Sequence, residues 1–147
     1  MTHALSHQAP ALLKSAVDYP VFRISKGETN KFVLLIDPLK DATGFIQVIE
    51  IFDVGGFTPP NQHQRAEEVF YILHGEGIAT TGDTPVKLRP GSTLLLRPGS
   101  VHAVRNTGKT RLYCLTTMVP DEGFAALISS GVADTLDAED CAVLGWG

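Results

Sequence analysis

The chain is interrupted by turn residues every few positions, and this limits its fold more than any other feature. Short apolar or alternating runs dominate, among them KFVLLID at 31–37, GFIQVIEIF at 44–52, EVFYIL at 68–73, HAVRN at 102–106 and RLYCLTTMV at 111–119. Clusters rich in Gly, Pro, Asn or Asp separate them, as in DPLKDATG, GGFTPPN, HGEG, GDTP, RPG and NTGK. Many short strands with closely spaced turns specify an all-β sandwich or barrel. No long run of period 3.6 interrupts the series.

The 147 residues suit one domain that buries most of its apolar surface. The expected core barrel spans about 20–120, preceded by an arm at 1–19 and followed by a helical tail at 121–147. In that tail Asp121 is expected to cap a helix with Phe124, Leu127 and Ile128 on one side and Gly131 closing it. The segment DAEDCAVLG adds a further short turn.

Several strands, FVLLI, VFYIL and LLL, are apolar on both faces. Both faces therefore need cover. The terminal segments can supply part of it, and the rest points to a homodimer.

Composition removes some partners. Twelve basic and sixteen acidic side chains give a net charge of -4, with no basic stripe interleaved with aromatics, so nucleic acid is not expected. The longest apolar run, FVLLI, is too short to span a bilayer. The opening MTHALSHQAPALLKSAV lacks a charged start followed by an unbroken apolar stretch, so a secretory signal is not expected either. Cys114 and Cys141 form neither a C-x-x-C pair nor a disulfide framework, and Cys114 reads as a small buried hydrophobe. A reduced, cytoplasmic protein is the expectation.

Two spaced sets of residues carry the chemistry. The first runs Gly55, Asn61, His63, Glu68, Gly75; the second runs Gly91, Arg97, Gly99, His102, Asn106. The pattern resembles the two motifs of the cupin superfamily, Gly-x5-His-x-His-x3-4-Glu-x6-Gly and Gly-x5-Pro-x-Gly-x2-His-x3-Asn. Two positions depart from it, Asn61 for the first His and Arg97 for the Pro. The resemblance implies a double-stranded β-helix, or jelly-roll barrel, holding a divalent transition metal such as Fe, Mn, Ni or Zn. It implies no particular reaction, because the family serves many.

Strand geometry gives an independent reason to group these residues. Alternate side chains of a strand share a face, so positions 61 and 63 would point one way, as would Glu68, Phe70 and Ile72. His102 opens another strand after the RPGS turn. If these strands line one barrel, His63, Glu68 and His102 converge inside it. Two imidazoles and a carboxylate suit a divalent first-row metal and leave coordination positions open.

Asn61 offers only an amide oxygen, a weaker ligand than imidazole. An alternative register places Gln62 and Gln64 at the two His positions and turns His63 outward. The His63 register is preferred, and Glu68 is preferred to Glu67 because it stands six residues before Gly75.

Other polar residues have simpler expected roles. His74 reads as exposed and inert, and Asn106 as a turn residue ending its strand. Arg97 is either a solvated charge or a contact for an anionic substrate, with the former favoured. Gln47 and Tyr113 are candidates to line the cavity, and Trp146 has no functional reading. The leading function is a metal-dependent enzyme of dioxygenase type acting on a small organic molecule, with Glu68 and His102 at its reacting centre. A non-catalytic barrel binding a small ligand is the second reading. Metal-free acid–base chemistry by Glu68 and His102 is the third.

Overall fold

The computed structural model describes residues 9–147, so His3 and His7 lie outside the described residues. The strands are β1 (Val21–Arg23), β2 (Asn30–Ile36), β3 (Ile46–Phe52), β4 (Glu67–His74), β5 (Gly77–Thr81), β6 (Thr84–Leu88), β7 (Thr93–Leu96), β8 (His102–Asn106), β9 (Leu112–Val119) and β10 (Val132–Asp134). Three short α-helices accompany them: α1 (Pro38–Asp41), α2 (Phe124–Ser129) and α3 (Ala138–Leu144). One sheet has the order β10-β1-β2-β3-β9-β4-β7, and a second has the order β6-β5-β8. Their pairings are antiparallel, as expected for a jelly-roll barrel.

Period-two alternation decides which side chains enter the barrel. Ile46, Val48, Glu50 and Phe52 of β3 face inward, as do Leu112, Cys114, Thr116 and Met118 of β9. Where the second sheet covers the first, Phe52, Phe70, Ile72 and Leu112 meet Ala79, Leu88 and Val104. Towards the other end Phe32, Leu34, Val48 and Met118 pack beneath Ala125 and Ile128 of α2. Cutting Phe52 back to Ala would cost about 3–5 kcal/mol through lost burial and the cavity left behind. Cys114 is fully buried, and burial, reinforced by Glu50, pushes its thiol well above the usual range.

The tail goes beyond its expected form by supplying β10, which extends the large sheet by pairing with β1. Its α3 covers that sheet's outer face, the cover expected of the terminal segments. Val33, Ile49, Ile51 and Tyr113 are therefore buried against Leu136, Val143, Leu144 and Trp146. Trp146 thus has a structural place, with its ring 5.5 Å from that of Tyr19. The second apolar face of β2 is covered by the chain itself. By contrast, Tyr71, Leu73 and Leu95 on the outer face of β4 and β7 remain exposed at 42%, 38% and 43%.

The helix α2 begins at Phe124 with Gly123 as its cap, and Asp121 accepts the N–H groups of Gly123 at 3.2 Å and Ala125 at 2.9 Å. Of the three apolar residues expected on one side, Phe124 packs edge-on against Phe32. Ala125 and Ile128 enter the core and Leu127 stays half exposed. Gly131 is required where the chain leaves α2, because a Cβ there would lie 2.0 Å from the Arg23 carbonyl oxygen.

Candidate metal centre

His63, Glu68 and His102 come together at the inner wall. One ligand atom from each lies within 4.8 Å of the others. The His63 Nε2 is 2.6 Å from the Glu68 Oε2, and the His102 Nε2 is 3.4 Å from the same oxygen. The imidazole rings are 5.3 Å apart. Glu68 and His102 are buried and His63 is partly so.

Three local structures hold the cluster. Glu68 is an inward position near the start of β4, between Leu96 of β7 and Met118 of β9. His102 opens β8, and its Nδ1 lies 3.0 Å from the Ser100 carbonyl oxygen. With Nδ1–H donating to that carbonyl, Nε2 is the ring nitrogen turned towards Glu68 and available to a metal. His63 reaches inward from a loop rather than from the strand its spacing implied, because this segment meets β8 only through isolated bridges, Phe57 with Arg105 and Asn61 with His102, the latter nearest the cluster. Reciprocal backbone hydrogen bonds of 2.8 Å make that bridge.

The loop carrying His63 has an unexpected anchor. Glu122 stands in the left-handed region at φ 51°. Its carboxylate accepts the backbone N–H groups of Arg65 at 2.6 Å, Ala66 at 2.8 Å and Gln64 at 3.3 Å. Burial raises this carboxyl, but the three N–H donors outweigh it and hold the group below its ordinary value. The segment between His63 and Glu68 is thereby tied to the start of α2. Sequence reasoning assigned a cap to Asp121 and gave Glu122 no role. Its only local signal is a place beside Gly123 in PDEG.

The charges in the cluster favour ionised Glu68. Burial would raise its carboxyl, yet contacts with His102 and His63 overcome this and lower it. Burial likewise works against a charged His102, but contact with Glu68 and the Ser100 carbonyl raises it. The arrangement has carboxylate and imidazole donors of the type that divalent first-row metals accept. The residues fit such an ion.

The remaining candidates separate clearly. Asn61 lines the cavity beside the cluster, but its Oδ1 accepts the Gln62 N–H at 2.9 Å. Gln62 and Gln64 are exposed, so the alternative register is not adopted. Arg97 is exposed and absent from the cavity wall. Gln47 and Tyr113 fall on odd positions of β3 and β9 and so face outward. Gln47 donates to Thr117 at 3.3 Å, and Tyr113 donates to Asp140 at 2.8 Å.

Two further expectations need correction. His74 is half-buried rather than exposed, edge-on to Tyr113 with ring centroids 5.8 Å apart. Asn106 ends β8 without a left-handed backbone; it is buried and donates to the carbonyls of Phe52, Asp53 and Thr110.

The cluster forms part of the wall of a cavity of about 340 Å3. Phe32, Phe57, Phe70, Phe124, Ile24 and Leu127 make up much of that wall. Asn30 and Glu50 also line it, and sequence reasoning missed both. A signal for Glu50 existed: in IQVIEIF it shares the parity of three apolar inward residues.

Two antiparallel sheets enclosing this cavity, with two imidazoles and a carboxylate in its wall, define a small jelly-roll barrel with a candidate metal site. The chain belongs to the cupin superfamily, and residues 48–118 match the family described as Cupin domain. It is 31% identical over 70 residues to the uncharacterized protein MJ1618 of Methanocaldococcus jannaschii, covering 48% of this chain and 56% of that protein. It is 30% identical over 59 residues to the oxalate-binding protein of Thermotoga maritima, covering 40% of this chain and 49% of the relative. The chain thus spans about half the length of these curated relatives.

Among solved structures, the fold is similar to that of a predicted oxalate decarboxylase from Thermotoga maritima. The TM-score is 0.65 at 19% identity, with 74% of this chain and 99% of that one covered. At that identity the likeness concerns the fold alone. No helix among the described residues is long and apolar enough to cross a membrane.

Proposed function

We propose that the protein is a metal-dependent cupin enzyme acting on a small organic molecule, with dioxygenase-type chemistry as the leading reaction class. The observation that carries this reading is the convergence of His63, Glu68 and His102 at one wall of an apolar cavity. A divalent metal there would supply Lewis acidity and, as iron(II), one-electron chemistry with oxygen.

His63 and His102 offer imidazole nitrogens, Glu68 offers a carboxylate oxygen, and the Ser100 carbonyl fixes the His102 ring. Asn61 stands close but contributes weakly, since its amide oxygen already accepts a hydrogen bond. The aromatic side chains give the reacting centre a largely apolar surround. Elemental analysis of protein purified without an affinity tag tests the reading, with about one transition metal per chain expected.

A non-catalytic ligand-binding barrel is the second reading, and Asn61 in place of a third imidazole favours it. Protein that remains metal-free after reconstitution would support that reading against ours. We also propose a homodimer through the outer face of β4 and β7, motivated by exposed Tyr71, Leu73 and Leu95. Covering apolar surface gains about 25 cal/mol per Å2. Light scattering should show a dimer at micromolar concentration, and a monomer there would remove this part of the proposal.

A further inference from the structure

The cavity has a second polar locus, and its wall has an unusual charge inventory. Glu50 lies on the inner face of β3 with only 3% of its surface exposed, yet it lines the cavity. Its Oε1 accepts a hydrogen bond from the Asn30 Nδ2 at 3.0 Å. The Asn30 amide is itself oriented, because its Oδ1 accepts from the Thr29 hydroxyl at 2.9 Å. Among the described residues the Glu50 carboxyl has no other hydrogen-bond partner. A buried carboxyl with one oxygen satisfied and the other facing a cavity is poised to meet a polar atom of a ligand.

Burial, with the charge of Glu68 adding to it, pushes the Glu50 carboxyl up to about 8. A metal at the triad would offset the Glu68 charge but would leave the burial. With Asn30 donating to Oε1, a proton on the other oxygen faces the cavity as a donor.

Among the described residues no lysine or arginine lines the cavity, whereas Glu28, Glu50 and Glu68 do. Anion sites are ordinarily built from such cations, because a desolvated carboxylate without a partner is costly. A metal could answer one carboxylate of a small dianion. The second would face aromatic rings and further acids. The volume of about 340 Å3 is near the lower end of small-molecule sites, which run from about 300 to 1,000 Å3.

We propose that the cavity selects an uncharged, largely apolar, ring-sized molecule bearing a hydroxyl or carbonyl oxygen that meets Glu50, and that it discriminates against small dianions such as oxalate. This deepens the enzymatic reading and rests on the same cavity. It also separates this chain from what the name of its oxalate-binding relative describes.

The test is protein-observed NMR titration of metal-free and zinc-loaded protein with benzyl alcohol, toluene and oxalate. Benzyl alcohol should shift signals of Phe32, Phe70 and Phe124 in both forms, with oxalate requiring at least about tenfold higher concentration, a 1.4 kcal/mol preference. Glu50→Leu should move the alcohol-to-toluene affinity ratio about fivefold towards toluene, while isosteric Glu50→Gln keeps the parent ratio. Oxalate binding as tightly as benzyl alcohol would overturn the proposal. An unchanged ratio in a folded Glu50→Leu would overturn the role of Glu50. The alcohol–oxalate comparison needs no variant, so it stands if Glu50→Leu does not fold. Zinc uptake in the same samples reports separately on the triad: its failure would sink the metal-dependent reading while the metal-free titration still tests ligand class.

Discussion

Two clusters of buried charge lie on opposite faces of the same large sheet, and they are built differently. On the outer face Asp140, which is fully buried, accepts from Lys31, from the Tyr113 hydroxyl at 2.8 Å, from Arg111 at 3.0 Å and from the Asp137 N–H at 3.1 Å. Lys31 also donates to the Thr135 carbonyl at 3.3 Å. On the inner face, Glu68 has only two imidazoles, and Glu50 has only Asn30. The outer cluster matches acids with permanent cations and is closed by α3. The inner cluster has acids and, among the described residues, no lysine or arginine in its wall, and it borders a cavity. A satisfied network holds the tail to the sheet, whereas an under-neutralised one leaves chemistry for a metal or ligand to complete.

The largest expected effect comes from breaking the closed cluster. Asp140→Ala leaves Lys31 buried without its carboxylate and should cost about 3–5 kcal/mol in chemical denaturation. Metal affinity of the remaining folded protein should be nearly unchanged. A large parallel loss of metal would mean that the two clusters are not independent.

A pH-dependent effect should follow from Glu50. Its folded carboxyl is raised to about 8, so the folded state holds a proton that the unfolded chain releases near pH 4.3. Stability of the metal-free protein should therefore fall as pH rises between those values and level off above. Gln cannot lose that proton, so Glu50→Gln should gain on the parent steadily across this window. Denaturation midpoints at pH 5, 6, 7 and 8 measure the difference, and parallel curves would show that Glu50 is ionised throughout.

A smaller effect is expected at the anchor of the His63 loop. Glu122→Ala removes the acceptor for three backbone N–H groups. Metal affinity should drop by about tenfold or less, at the low end of what partners behind a ligand contribute. Glu122→Gln should restore part of it. Unaltered affinity in Glu122→Ala would show that the loop holds its shape unaided.

The comparison also explains how far the sequence could be read. Strand parity placed Glu68 inside because EVFYIL forms a regular strand with fixed neighbours. The same reasoning for positions 61 and 63 gave the inward His63 for an incomplete reason, since only Asn61 forms a bridge there. Gln47 and Tyr113 could be offered only as candidates, because a strand apolar on both faces hides which parity points inward. Glu122 and the Lys31–Asp140 pair were illegible because they join segments 56 and 109 residues apart in the chain, with no local pattern linking them. The tail was expected to help cover the barrel, but its strand was illegible because the three residues of β10 carry too little periodicity to announce a sheet edge.

The most direct measurement of the central claim is calorimetric titration of zinc into the metal-free parent, His63→Ala, His102→Ala and Asn61→His. One ion per chain is expected in the parent, with binding abolished or weakened at least about a hundredfold in both Ala variants, a loss of about 2.7 kcal/mol or more. Asn61→His should bind about tenfold more tightly than the parent because a third imidazole joins the two histidines and Glu68 as a fourth ligand. Circular dichroism of the variants separates lost ligands from lost fold. Folded His63→Ala and His102→Ala proteins that bind zinc as tightly as the parent, or a parent that binds none, would contradict the account.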